Sequence, residues 1–311
     1  MHETRAAVVG AGRLGSLHAA KYAALPGVAL TQVVDIDGAR AEQLASQHQA
    51  AASTDFRALK NVDVVTVASP GVTHFEIASH LLRAGYDVLL EKPMAATLAD
   101  ARALTALAES SDRILQIGHL ERFNPVVKHL RGMLNQPRFV ECHRLAPFTE
   151  RGTDVDVVLD LMVHDLDVLM SLTGADATAV EALGVAVLTD QTDVANARIR
   201  FSNGMIANMN VSRVAPRRER KIRFFQPDAY ISVDYEARRI QIYRKSPPPA
   251  GGTFPIISAE QIDLGEADPL ADEVASFIAS VRARSTPAVT ARDGLRAIEL
   301  IEKIRTCMEQ P

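Results

Sequence analysis

The pattern of hydrophobic and polar positions changes once along the chain, near residue 122. Before that point, short runs rich in Val, Ile and Leu alternate with longer stretches whose apolar positions recur at helical spacing. The runs predict strands at 6–9, 30–34, 62–68, 88–90 and 114–117, with a weaker one at 51–53, and the longer stretches predict helices at 14–24, 38–48 and 98–110. This alternation is typical of an α/β, doubly wound parallel sheet, the Rossmann arrangement.

After residue 122 the pattern becomes mainly that of strands. Helices are predicted at 125–133 and 155–172, and strands at 139–145, 197–201, 205–211, 221–225, 229–233 and 239–243. Ser202-Asn203-Gly204 separates two apolar runs, as in a tight hairpin. The chain ends with predicted helices at 269–283 and 291–308, the second capped by Thr286 or Thr290. We expect an α+β domain with a large, mainly antiparallel sheet.

The length favours two domains, because one hydrophobic core seldom serves 311 residues. We place the doubly wound domain at residues 1–121 and the α+β domain at residues 122–311. The last helix, about 291–308, is expected to pack back on the first domain.

Composition removes several classes of function. The chain is 47% hydrophobic and 23% charged with a net charge of −4, so we expect neither a membrane span nor a nucleic-acid partner. Two cysteines, Cys142 and Cys307, provide no disulfide framework and no cysteine-rich metal site, and we expect no metal. The N-terminal residues lack the pattern of a signal peptide, so the expected location is the cytoplasm.

A glycine-rich motif follows the first predicted strand. Gly10-Ala11-Gly12-Arg13-Leu14-Gly15 matches G-x-G-x-x-G, in which glycines allow a tight turn and the close approach of a pyrophosphate to the start of a helix. Asp35 ends the second strand pattern, 20 residues after Gly15, where a carboxylate can bind the adenosine ribose. A carboxylate there favours NAD over NADP, although Arg40 is close. The alternatives are a purely structural turn and a solvated aspartate.

Polar residues follow three other predicted strands, at the sheet edge where ligands gather. Ser69-Pro70 with Thr73-His74 would line the nicotinamide side, Glu91-Lys92-Pro93 follows the strand at 88–90, and Gly118-His119 follows the last one. Lys92 is the strongest candidate for a catalytic residue, since a charged lysine at the end of a buried apolar strand needs a partner or a function. The alternative is an ion pair with Glu91 or a neighbour.

The predicted helix 155–172 carries a second set of ionisable residues. Asp160, His164 and Asp167 are spaced to share one face, whereas Asp165 points elsewhere. A carboxylate one turn before a histidine can orient the ring, as a general base requires. The alternative is a histidine that is simply buried in an apolar helix.

The order of G-x-G-x-x-G, Glu91-Lys92-Pro93 and Asp160-x-x-x-His164 resembles the Gfo/Idh/MocA family of oxidoreductases over nearly the whole chain. The resemblance implies that Lys92, Asp160 and His164 act at the nicotinamide of NAD and that Lys92-Pro93 is cis. It also implies a homodimer or homotetramer formed through the second domain's sheet. The family's glycine-rich approach to the Asp-His helix is replaced by Arg151-Gly152-Thr153-Asp154-Val155-Asp156.

The segment from Gly118 to Pro125, taken with Asp160 to Asp165, resembles a narrower group of the family. That group oxidises the 3-hydroxyl of UDP-N-acetylglucosamine to a 3-keto sugar for lipid A. A sugar-nucleotide substrate needs a pyrophosphate clamp, for which Arg122 and Asn124 are the candidates. A basic run could also serve, or could be a solvated hairpin: Arg213, Arg217, Arg218, Arg220, Lys221 and Arg223.

The resemblance leaves the roles of two residues open. His164 is our choice of base because a neutral imidazole can accept a proton near pH 7, with Lys92 stabilising the alkoxide and Asp160 tuning either partner. Lys92 as the base is the alternative. Two other functions also remain: a dehydrogenase of a free polyol, inositol or simple sugar, and a catalytically silent NAD-binding sensor or scaffold.

Overall fold

A computed structural model describes residues 3–149, 153, 155–248, 250 and 252–309. The described part divides into two compact units, Met1–Phe123 with Asp268–Ile298, and Asn124–Ala267 with Glu299–Pro311. Arg151, Gly152 and Asp154 of the segment that departs from the family pattern lie outside the described residues. Across the described part of the chain, no helix is long and apolar enough to cross a lipid bilayer.

The first unit is built on a six-stranded parallel sheet of order β3-β2-β1-β4-β5-β6. This is the strand order of a dinucleotide-binding Rossmann domain, and it confirms the predicted fold class. Its strands are β1 (Thr4–Val9), β2 (Val28–Val34), β3 (Ala51–Ser53), β4 (Val64–Val67), β5 (Asp87–Glu91) and β6 (Leu115–Gly118). Its first four helices are α1 (Arg13–Ala24), α2 (Gly38–Gln47), α3 (His74–Arg83) and α4 (Leu98–Ser110).

Helix α3 was not among the predicted elements, and Thr73-His74 at its start were interpreted only as residues that line the nicotinamide side. A short 3-10 helix, Gly71–Thr73, follows β4 and leads directly into α3. The helix is amphipathic and buries Ile77, Leu81 and Leu82. Ala68, Ser69 and Pro70 and the 3-10 helix therefore form the whole connection between the strand and the helix.

Helix α7 (Pro269–Ala283) belongs to the first unit, although the sequence analysis assigned all residues after 121 to the second domain. Val274, Phe277 and Ile278 of α7 share a hydrophobic core with residues of α1, β1 and β2. Helix α8 (Ala291–Met308) begins in this unit and has the predicted bounds. Thr290 caps it, since Thr290 Oγ1 accepts from Asp293 N and Asp293 Oδ2 accepts from Thr290 N.

The second unit contains an eight-stranded sheet of order β14-β13-β12-β11-β7-β10-β9-β8. The 3-10 helix Leu120–Phe123 and α5 (Pro125–Leu130) precede this sheet, and six of its eight strands correspond to predicted strands. All its pairings are antiparallel except β7 with β10. The strands are β7 (Phe139–Leu145), β8 (Ala177–Val185), β9 (Val194–Phe201), β10 (Ile206–Ser212), β11 (Glu219–Phe225), β12 (Ala229–Asp234), β13 (Arg239–Ser246) and β14 (Ile256–Asp263). The mainly antiparallel sheet is confirmed. Strand β8 was missed because its alanines and glutamate are weak strand formers.

The continuous helix predicted at 155–172 is wrong in its first turns. The structure has a π-helix over Val158–Met162, followed by α6 (Val163–Thr173). Asp156 caps the segment, since its Oδ1 accepts from the backbone of Val158 and Leu159 at 2.9 Å each. π-Helical turns are rare and frequent at functional sites, and this one contains Asp160.

Candidate active site

The glycine motif forms the turn between β1 and α1. Gly10 has a φ of +100°, and a Cβ there would lie 2.6 Å from the carbonyl oxygen of Ala68. A Cβ at Gly15 would lie 1.7 Å from the carbonyl oxygen of Gly10, so this contact excludes any side chain. At Gly12, by contrast, a Cβ would meet nothing within 4 Å. The turn therefore leaves open space in front of the helix N-terminus.

The start of α1 suits an anion. No side chain caps the helix at Gly12, and Arg13 is exposed beside it. The first amides of a helix carry no internal partner and attract phosphate groups. A dinucleotide pyrophosphate therefore fits here, with Gly10, Gly12, Arg13, Leu14 and Gly15 as the residues that would hold it.

Asp35 lies at the end of β2, next to the glycine turn. Its Oδ2 accepts from the backbone N–H of Ala11 at 2.6 Å, and its Oδ1 accepts from Asp37 N at 2.9 Å. These two bonds hold the carboxylate in one orientation beside the glycine turn. The guanidinium of Arg40, which could have favoured the 2′-phosphate of NADP, pairs with Asp37, and its Nε lies 3.2 Å from Asp37 Oδ2.

Residues at the end of β4 are tied to those at the end of β5. His74 is buried, with Nδ1 2.7 Å from the carbonyl oxygen of Pro93 and Nε2 2.9 Å from that of Ser69. Burial lowers the pKa of His74, and the two carbonyl oxygens only partly offset this. Ser69 Oγ is 2.8 Å from Thr73 Oγ1, and Pro70 is exposed. His74 thus fixes the loops that carry the predicted cofactor residues.

Lys92 follows β5 and is half-buried, and its bond to Pro93 is cis, as the resemblance implied. Glu91 was predicted to contact the cofactor. In the structure Glu91 is buried, Oε1 is 2.7 Å from His18 Nε2, and Oε2 accepts from Lys92 N at 3.2 Å. Both carboxylate oxygens of Glu91 therefore bind protein groups.

In the second unit, the helix around His164 has an uneven exposure. Asp160, Leu161 and His164 are partly exposed, whereas Asp167 is only 1% exposed. Asp167 lies three residues after His164 in α6 but is buried, and the π-helical turn lies between Asp160 and His164, so the regular α-helical spacing behind the prediction of one shared face does not hold there. Asp160 and His164 are thus both partly exposed, whereas most of the residues between 157 and 170 are buried.

Asp165 points elsewhere, as predicted, and forms a buried ion pair with Arg144 of β7. Arg144 Nε is 2.7 Å from Asp165 Oδ2, and Nη2 is 2.9 Å from Oδ1. The two parallel bonds are the bidentate geometry of a strong arginine–carboxylate pair. The pair fixes the helix that carries His164 to the sheet.

Two arginines also hold this helix, a role that was predicted for neither of them. Arg305, near the end of α8, binds Oδ2 of the capping residue Asp156. Arg213 is buried and donates to the carbonyl oxygen of Val155, and its Nε is 3.6 Å from Asp193. An Asp two residues before an apolar helix was a signal for the cap. Local sequence carries no signal for the arginines, which lie far along the chain.

The candidate pyrophosphate residues have different surroundings. Arg122 is buried, with Nη2 3.2 Å from Asp293 Oδ1. Asn124 is buried and caps α5, where its side chain accepts from Val126 N. Most of the basic run lies near carboxylates, namely Asp193, Glu236, Asp234, Glu141 and Glu219. The neutralised run fits the hairpin interpretation better than an anion site.

Comparisons with known proteins match both units of the chain to one family of oxidoreductases. The family model described as oxidoreductase family, NAD-binding Rossmann fold, matches residues 4–119, and that of the Gfo/Idh/MocA C-terminal domain matches residues 126–232. A UDP-N-acetylglucosamine 3-dehydrogenase of Acidithiobacillus ferrooxidans is 36% identical over 99% of this chain and 98% of its own. Its solved structure superimposes with a TM-score of 0.91 and covers 99% of both chains.

More distant relatives share less of the chain. The myo-inositol dehydrogenase Hyg17 of Streptomyces leeuwenhoekii is 31% identical over 68% of this chain and 70% of its own. An oxidoreductase from Agrobacterium radiobacter, solved with NAD+, L-tartaric acid and magnesium, is 17% identical with a TM-score of 0.86 over 99% of this chain and 97% of its own, which shows the fold alone. The motifs, the strand order and the full-length match together place this chain in the Gfo/Idh/MocA family of NAD-binding oxidoreductases.

Proposed function

We propose that this protein oxidises the 3-hydroxyl of UDP-N-acetylglucosamine to a 3-keto sugar with NAD as the oxidant. The observation that carries the proposal is the full-length match to the Acidithiobacillus ferrooxidans enzyme, at 36% identity and a TM-score of 0.91. A match that extends through both units includes the substrate domain, not only the widely shared cofactor domain. The product is a precursor of an amino sugar in lipid A, made in the cytoplasm.

The roles of the residues follow from the chemistry of alcohol oxidation. NAD, when bound, supplies the acceptor for the hydride. His164 takes the hydroxyl proton, Lys92 donates a hydrogen bond to the same oxygen and stabilises its developing negative charge, and Asp160 orients these partners. Gly10, Gly12, Arg13, Leu14, Gly15, Asp35, Ser69 and Pro70 hold the cofactor. Arg122 and Asn124 bind the substrate pyrophosphate.

The test is NADH formation, followed by absorbance, with UDP-N-acetylglucosamine, N-acetylglucosamine and myo-inositol as separate substrates. We expect a rate only with the nucleotide sugar, and a product that has lost two hydrogen atoms by mass. Lys92→Met and His164→Asn should each slow hydride transfer by about 100-fold or more. Lys60→Met, an exposed lysine, is the matched control. Unchanged rates in both active-site variants would contradict the scheme, and their pH profiles identify the base.

A second candidate function is oxidation of a free polyol such as inositol. The match to myo-inositol dehydrogenase Hyg17 over 68% of this chain favours it. Such a substrate needs no pyrophosphate clamp, so turnover of myo-inositol that UDP does not inhibit would select it. A protein that binds NAD but oxidises none of the three substrates would point to the sensor or scaffold.

The assembly we propose is a homodimer or homotetramer formed through the exposed face of the eight-stranded sheet. Four aromatic rings form a ladder across neighbouring strands there, with adjacent centroids 5.0 to 5.6 Å apart: Phe139, Phe225, Tyr230 and Tyr243. Leu183 on β8 is 66% exposed. Large exposed apolar groups on one sheet are typical of protein interfaces. Light scattering should give a multiple of the 33.7 kDa chain mass, and Tyr230→Lys with Leu183→Glu should reduce it to one chain.

A further inference from the structure

A buried cluster of ionisable side chains lies in the first unit. It consists of His18 on α1, Glu91 at the end of β5 and Glu273 on α7, of which His18 and Glu273 are completely buried and Glu91 is 7% exposed. One nitrogen or carboxylate oxygen from each residue lies within 4.8 Å of those of the other two. Neither His18 nor Glu273 belongs to a motif that the sequence predicts to be functional.

Glu91 connects this cluster to Lys92. Its Oε1 is 2.7 Å from His18 Nε2, and its Oε2 accepts from the backbone N–H of Lys92. On the neighbouring strand, a Cβ at Gly118 would lie 3.0 Å from Glu91 Oε2, so a glycine leaves room for the carboxylate. The carboxylate is thereby fixed between α1 and β6, and it holds the peptide at which Lys92 leaves the strand.

The pKa values of the two carboxyl groups of the cluster are shifted in opposite directions. Burial alone would raise the pKa of Glu91, but the His18 hydrogen bond and charge, together with Lys92, outweigh burial and lower it. Burial and the negative charge of Glu91 raise the pKa of Glu273 well above its usual range. Neither Glu273 oxygen has a hydrogen-bond partner among the described residues, an arrangement that costs a neutral acid far less than an anion.

We infer that His18 is a positioning residue for Lys92 and that it acts through Glu91. This inference rests on the proposed role of Lys92 in the oxidation. His18 donates to Glu91, keeps that carboxylate ionised and in one orientation, and so fixes the backbone from which Lys92 extends. The raised pKa of Glu273 favours its neutral form, and Glu91 is the carboxylate that lies 2.7 Å from His18 Nε2. Small displacements of a reacting group are costly, since about 1 Å of misplacement slows an enzyme by about 100-fold.

The experiment compares His18→Leu, His18→Gln and Tyr22→Phe in the full-length protein. His18→Leu removes the hydrogen bond and should lower kcat by about 10-fold to 100-fold with little change in the KM for NAD. His18→Gln retains an amide donor for Glu91 and should restore most of the rate. Tyr22→Phe is the matched control, since it removes a different buried hydrogen bond, to Thr66, from the same helix.

A second readout does not depend on activity. Proton NMR should show a slowly exchanging imidazole N–H signal from His18 in the wild type and in Tyr22→Phe, and no such signal in His18→Gln. An active wild type with an unchanged kcat in His18→Leu would overturn the inference, as would a KM effect without a kcat effect. Stoichiometric zinc or manganese in the purified protein would also overturn it, because a cation would replace the His18–Glu91 bond. A wild type inactive on every sugar, but with the NMR signal present, contradicts the proposed function instead.

Discussion

Asp35 accepts a hydrogen bond from the backbone amide of Ala11, at 2.6 Å between Oδ2 and N. The bond ties the end of β2 to the glycine turn and fixes a negative charge beside the predicted ribose position. A fixed carboxylate can bind ribose hydroxyls and repels the 2′-phosphate of NADP.

Cofactor selectivity should therefore depend on Asp35. The wild type is expected to prefer NAD over NADP by at least about 100-fold in kcat/KM, because bringing like charges together costs several kcal/mol. Asp35→Ser should reduce this preference to within about 10-fold. Initial rates with NAD and with NADP give the ratio of the two kcat/KM values. Asp37→Ser is the control, since serine also caps α2; an unchanged ratio in Asp35→Ser would contradict the role.

The buried pair Arg144–Asp165 should be a large contributor to the stability of the second unit. Arg144→Met or Asp165→Asn alone leaves an unpaired buried charge and is expected to reduce the free energy of unfolding by about 3 to 5 kcal/mol. The double variant should be more stable than either single variant, since no charge is then left unpaired. Urea unfolding of all four proteins gives the coupling. Additive losses would show that the two side chains do not interact.

Glu273 should make stability depend on pH. Its folded-state pKa is raised above the usual 4.5, so the folded state retains the proton more strongly than the unfolded chain. Its stabilising contribution is full below pH 4.5 and is lost as the pH rises toward the folded-state pKa. The titratable groups near Glu273 are His18 and Tyr22 on α1 and Glu91 at the end of β5.

Glu273→Gln replaces the neutral acid with a neutral amide of similar shape. We expect it to raise the melting temperature at pH 8 by about 2 °C or more, with the difference disappearing near pH 4.5. Differential scanning fluorimetry across this pH range measures the effect. Glu42→Gln, an exposed position, should show no such trend. A Glu273→Gln variant whose melting temperature differs from that of the wild type by the same amount at pH 4.5 and pH 8 would contradict the raised pKa.

Substitution of Arg122 tests whether this residue binds the substrate or only forms an ion pair with Asp293. Burial alone would raise the pKa of Asp293, but the Arg122 charge and the hydrogen bonds from Thr290 hold it below its usual range. Arg122→Ala should weaken UDP binding by about 10-fold or more in calorimetry, through loss of a charge-assisted contact. Asp293→Asn keeps the cation and should bind UDP normally. Equal affinity in the wild type and Arg122→Ala would leave Arg122 with a structural role only.

Local sequence predicted much of the fold and of the cofactor site. The spacing of apolar residues predicted α4, α7 and α8 with their observed bounds, and the glycines at positions 10, 12 and 15 predicted the turn that the structure contains. These features depend on residues within one or two turns of each other, so their signal lies in adjacent sequence. The prediction of one continuous α-helix over 155–172 failed because the backbone forms a π-helical turn at Val158–Met162, which contains Asp160.

Sequence alone determined which residue types are available for chemistry: a lysine after a buried strand, an aspartate and a histidine on one helix, and a carboxylate after the second strand. Only the tertiary structure decided which side chains meet. His18 and Glu91 are 73 residues apart in the chain, and Arg144 and Asp165 are 21 apart, yet each pair is in hydrogen-bond contact. Such pairs arise from the packing of helices on sheets, and no local spacing encodes that packing.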